Sequence, residues 1–89
     1  MKLARVAGPV VSTIKHPTLE GRTLLLCDYV SPNGQETGRY TIAVDTVGAG
    51  AGELVLILDE GSSARQVIAE KQAPVRAIVA GIVDEVVWQ

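Results

Sequence analysis

Phenylalanine is absent from this 89-residue chain, and its aromatics amount to Tyr29, Tyr40 and Trp88. The interior must therefore be assembled from Val, Ile, Leu and Ala, a bias that favours strands because β-branched side chains pack well on a pleated surface. Cysteine is limited to Cys27, so neither an intrachain disulfide nor a cysteine-built zinc site is expected. Cys27 sits on a run of leucines next to Asp28 and reads as a small buried apolar residue rather than a reactive thiolate. His16, the only histidine, lies beside Pro17 in a loop and reads as a surface residue. Charge of one sign is lacking too: the net charge is −2, with signs interspersed, which gives no electrostatic reason to expect nucleic acid or an acidic membrane surface. No apolar run approaches a membrane span, and the opening "MKLARVAGPVVST" is broken by Gly8 and Pro9, so the cytoplasm is the expected location.

What is present is 47% hydrophobic and 20% charged, the composition of a soluble globular domain. At this length one domain over residues 1–89 is expected, burying about 60–65% of its unfolded surface, so contacts with other subunits would add needed stability. The apolar pattern gives a first strand from Leu3 to Ile14 bent at Gly8 and Pro9, a second over Thr23 to Val30, a turn at Ser31 to Gly34, and further strands over Tyr40 to Asp45 and Glu53 to Leu58. "GSSARQVIAEKQ" reads as a helix with Ser63 as cap and Gln66 three residues on, between Gly61 and Pro74. Val75 to Trp88 reads as a last long strand bent at Gly81. The fold class is all-β with one short helix, a small five-stranded barrel of the OB type, although the helix falls before the last strand rather than between the third and fourth.

The stretch "DTVGAGAGEL" raises the question of nucleotide binding. A dinucleotide fingerprint needs Gly-x-Gly-x-x-Gly opening a helix. Here Gly48, Gly50 and Gly52 alternate with Ala49 and Ala51, and Glu53 and a strand follow, so the loop reads as a tight turn or a close-packed subunit contact. All three glycines are expected at positive φ. Asp45, ending a strand just before the turn, is expected to accept the turn's own N–H groups. Adjacent acids on a strand point to opposite faces, so Asp59 with Glu60 and Asp84 with Glu85 are poor acid/base pairs and read as solvated strand ends. The helix start at Ser62, Ser63 and Arg65 reads as a self-satisfied cap rather than an anion site. Neither catalytic residues, nor a metal site, nor a cofactor site is expected. An OB-type binding module for nucleic acid or a small ligand is the competing reading, and it lacks the basic groove with stacking aromatics that such a site wants.

"MKLARVAGPVVST", "LEGRTLLL", "VDTVGAGAGELVLI", "GSSAR" and "GIVDEVV" together resemble the EutN/CcmL family of bacterial microcompartment vertex proteins, in register from Met1 to about Val87. The pairing of "GAGAGE" with "GSSAR" is the specific part. The resemblance implies an OB-like barrel assembling as a cyclic homopentamer that closes the vertices of a polyhedral protein shell alongside hexameric shell proteins. It implies no catalytic residues, nucleic acid or membrane. It also suggests a use for the slim loop, since a wedge-shaped subunit near a fivefold axis needs a backbone without bulk over Gly48 to Gly52.

Overall fold

Alternation of side chains along the strands decides which faces are buried, and closure of the sheet on itself decides what is inside. In the computed structural model, which describes residues 1–11, 21–59 and 77–86, five strands are present: β1 (Lys2–Val10), β2 (Leu24–Val30), β3 (Glu36–Asp45), β4 (Leu54–Leu58) and β5 (Ile78–Ile82). They close into a barrel in the order β1-β2-β3-β5-β4, with β4 pairing back to β1. All neighbours are antiparallel except β3 and β5, which run parallel and share only the pairs Val44↔Ile78 and Asp45↔Val79. Closure leaves the strands few open edges.

One set of alternate positions fills the interior: Ala4, Val6, Leu25, Cys27, Ala43, Val55, Ile57 and Val79, with Ala49 and Ala77 at its margins. A barrel of five strands has a narrow lumen, and alanine, cysteine and valine fill it without any phenylalanine. The intervening positions Leu24, Val44 and Ile78 form a second buried cluster with Val10 and Leu58. These positions alternate with the interior set along the same strands and so belong to the opposite face of the sheet.

The bend expected at Gly8 and Pro9 is present as a register shift between Val6 and Gly8, where β1 gains one residue on β2 and turns the barrel corner. The expected first strand nevertheless ends at Val10. The turn at Ser31 to Gly34 is closed by the Gly34 N–H donating to Ser31 O at 2.8 Å. Two expectations are corrected. β3 begins at Glu36, four residues before the apolar pattern does, because its first residues are exposed and polar yet still pair with β2 across a second register shift. The last strand ends at Ile82, short of Trp88: the Val83 N–H still donates to Leu54 O, but β4 begins at Leu54 and offers nothing further to pair with. No helix occurs among the described residues. The expected helix, with Ser62, Ser63 and Arg65, lies outside them, as do His16, Glu60 and Trp88.

Candidate functional site

The turn from Asp45 to Glu53 is built from its two acidic ends. Asp45 is half-buried at the end of β3, and its Oδ1 accepts the N–H groups of Val47 (3.0 Å), Gly48 (3.0 Å) and Ala49 (3.3 Å), as the sequence suggested. At the other end Glu53 Oε1 accepts the Gly50 N–H at 2.6 Å, while the Glu53 N–H donates back to Gly50 O at 3.1 Å. β1 then fastens the loop to the barrel: the Gly52 N–H donates to Val6 O, the Val6 N–H to Glu53 O, and Arg5 Nη1 to Gly52 O at 2.9 Å. Ala49 is buried against the core, so the loop is pinned at its middle as well.

These hydrogen bonds bear directly on nucleotide binding by the turn. A phosphate cradle needs backbone donors free to face the anion. Here four consecutive N–H groups, from Val47 to Gly50, already face carboxylates of the protein itself. The expectation of positive φ holds at Gly48 (77°) and Gly52 (87°) and is corrected at Gly50, which is not in that region. A Cβ at Gly50 would instead lie 3.4 Å from Glu53 Oε1, the oxygen that receives its N–H. Asp45, Gly48, Ala49, Gly50, Ala51 and Gly52 thus belong to one turn, exposed at its glycines and anchored to the core through Ala49, while Ser62, Ser63 and Arg65 lie outside the described residues.

A second polar cluster sits elsewhere on the barrel. The Tyr29 hydroxyl donates to Asp59 Oδ2 at 2.7 Å, Lys2 Nζ lies 3.4 Å from the same oxygen, and Lys2 Nζ stands 5.1 Å from the centre of the Tyr29 ring. The expectation that Asp59 is merely a solvated strand end is therefore corrected. Its carboxyl is held below the ordinary carboxylate value, chiefly by the Tyr29 hydrogen bond and further by Lys2. Burial, with Asp59 as hydrogen-bond partner, pushes the Tyr29 hydroxyl up to about 12. Sequence spacing hid this cluster; the signal that would reveal it is the β1–β4 register, where Lys2 pairs with Ile57 two residues before Asp59.

Beside this cluster is an open cleft of about 230 Å³ lined by Lys2, Leu3, Tyr29, Val30, Thr37 and Arg39. Its one aromatic ring is already engaged by Lys2 and Asp59, so it offers no stacking platform for a base. Cys27 is fully buried, and burial, with Asp28 and Asp45 adding to it, pushes its thiol up to about 11, the reverse of a nucleophile. Among the described residues no group of three or more His, Cys, Asp or Glu side chains is arranged to hold a metal ion.

Fold and turn together define a small OB-type barrel that carries a glycine turn whose backbone donors are satisfied by the protein's own carboxylates. The profile of the family described as "Ethanolamine utilisation protein EutN/carboxysome" matches residues 1–84, and the chain belongs to this EutN/CcmL family. It is 46% identical over 87 residues to the bacterial microcompartment shell vertex protein EutN of Escherichia coli, covering 98% of this chain and 90% of that protein. It is 46% identical over 86 residues to the carboxysome shell vertex protein CcmL of Synechocystis, covering 97% and 85%. Among solved structures, the GrpN pentameric microcompartment shell protein of Rhodospirillum rubrum superposes with a TM-score of 0.87 at 42% identity, over 100% of both chains.

Proposed function

We propose that this chain is a structural vertex subunit, five copies of which close into a ring that caps a corner of a bacterial microcompartment shell in the cytoplasm. The observation that carries the reading is the end-to-end match of its barrel to a pentameric shell protein. The satisfied glycine turn supports it, because a loop whose donors are consumed internally is suited to steric fitting rather than ligand capture. Facets built from six-fold units lie flat, and a five-fold unit inserted among them forces the sheet to turn. The partners are therefore hexameric shell proteins, with neither nucleic acid nor a membrane required, and the protein is not an enzyme. Gly48 to Gly52 lie towards the ring axis, where the absence of side chains lets neighbouring backbones approach.

Five copies of the 9.4 kDa chain weigh about 47 kDa, and closed cyclic symmetry leaves no patch to drive further growth. Native mass spectrometry is expected to show that species; a monomer at micromolar concentration or a stable hexamer counts against the reading. In the cell, deleting the gene is expected to leave shells elongated or leaky while the enclosed enzymes keep their activity in extracts. Closed, normal shells after deletion, without a second vertex gene, contradict the function and leave the fold intact.

A further inference from the structure

The interior-facing positions of the barrel turn polar at one end. Following the buried positions Ala4 and Val6 outward along β1 leads to Lys2, and following Leu25 and Cys27 along β2 leads to Tyr29, which packs against the core. The 230 Å³ cleft lined by Lys2, Leu3, Tyr29, Val30, Thr37 and Arg39 opens at this end, and the mouth of a barrel is a usual place for a small-ligand site. β3 supplies one wall through a bulge. Between the pairs Asp28↔Tyr40 and Val30↔Glu36, two steps along β2 are matched by four along β3. The Thr37 hydroxyl fastens the extra residues, donating to Tyr29 O at 3.0 Å and accepting the Arg39 N–H at 3.3 Å, with Gly38 between them at a φ of 78°. Bulges re-aim side chains, and this one sets Arg39 in the cleft.

The charges of the lining have one sign. Among the described residues the charged side chains that line the cleft are Lys2 and Arg39, both cations; Asp59 pairs with Lys2 but does not line it. Lys2 is committed to Asp59 and to the face of Tyr29. Arg39 is exposed, and its guanidinium has no hydrogen bond or ion pair among the described residues. One uncommitted cation matches one negative charge. A guanidinium is a planar fork that takes a carboxylate through two parallel N–H···O bonds. Leu3, Val30 and the Tyr29 ring give an aliphatic stem a surface to lie on. The volume of 230 Å³ is below the range of about 300–1,000 Å³ typical of sites for drug-sized ligands, which restricts the occupant to a few carbons.

We infer that the cleft binds a small aliphatic monocarboxylate, its two oxygens on the Arg39 guanidinium and its short stem against Leu3, Val30 and Tyr29. The site is complete within one barrel. It goes beyond the vertex role and does not depend on how many copies make the ring.

Titration of the isotope-labelled wild-type protein with sodium butyrate, followed by NMR at constant ionic strength, tests it. Saturable shifts confined to the amides around Leu3, Val30 and Arg39 are expected, with a Kd of about 1 mM, as suits so small a ligand. Butyramide, the neutral analogue, is expected to bind about tenfold more weakly or not at all. Arg39→Gln is expected to weaken butyrate binding by about tenfold while the rest of the spectrum keeps its place, since the side chain is exposed and holds nothing else together. The absence of saturable shifts in the wild type overturns the site, as does equal binding of butyramide, undiminished binding by Arg39→Gln, or inorganic phosphate giving the same shifts at the same concentration. Native mass spectrometry of the same samples keeps the two readings apart. A monomer that binds butyrate removes the ring and keeps the site, whereas a ring that does not bind it removes the site and keeps the ring.

Discussion

At the scale of single residues, Asp45 has the largest local task, since one carboxylate oxygen receives three backbone N–H groups. Asp45→Ala leaves them without that acceptor and is expected to cost about 2 kcal/mol, read as a fall in the urea midpoint at constant slope. Asp45→Asn keeps a carbonyl oxygen in place and is expected to cost less than half as much. The glycines separate in the same assay. Gly48→Ala and Gly52→Ala place a Cβ at positive φ and are expected to cost about 1 kcal/mol each, whereas Gly50→Ala, meeting only a movable carboxylate, costs less. Equal losses at all three would refute the conformational account. The role of Asp45 was legible in the sequence because it is local: an acid and the turn it caps lie within four residues. The distinction among the glycines was not, because spacing alone does not reveal which peptide carries the left-handed angle.

At the scale of elements, the Lys2–Tyr29–Asp59 cluster ties the start of β1 to the ends of β2 and β4, and it makes stability depend on pH at both extremes. Folding depresses the Asp59 pKa, so this contribution is present above the unfolded value and is lost as pH falls below 3.8 and through the folded value. Folding raises the Tyr29 pKa, so that contribution is complete below the ordinary value of 10.0 and is lost as pH rises from there to about 12. Tyr29→Phe is expected to remove the Tyr29 share of the alkaline loss and leave that of the buried Cys27 thiol, weaken the acid loss, and lower stability near neutrality by about 1–2 kcal/mol. An unchanged alkaline limb in thermal melts of the variant would contradict this. The sequence disclosed β2, β4 and the apolar half of β3 through alternating or continuous apolar runs. It concealed the polar half of β3, whose pairing with β2 needs no apolar pattern, and it overran β5, because Val83 and Val86 continue a pattern that β4 no longer supports. Asp59 was misread as a solvated strand end since its partners are 30 and 57 residues away along the chain.

At the scale of the whole molecule, the parallel join of β3 to β5 sets the order in which the barrel is made. β1, β2 and β3 are successive strands of an antiparallel meander, each formed from contacts close in sequence, and β4 returns to β1. The join instead brings Asp45 to Val79 and rests on two residue pairs, a Val44 N–H to Ala77 O bond and the Thr46 hydroxyl donating to Val79 O. Closing that long loop costs chain entropy before few contacts repay it, so it is the step expected to come last in folding and to be reversed first in native fluctuations. Amide hydrogen exchange on a dissociated variant should then find the Val44 N–H exchanging by a smaller opening than the interior amides of β1 and β2. Protection at Val44 equal to the global unfolding limit would refute this order. The barrel is in that sense a sheet with a clasp. A single chain, with two residue pairs across this join, carries its clasp loosely fastened, so whatever holds β3 against β5 performs the last act of folding.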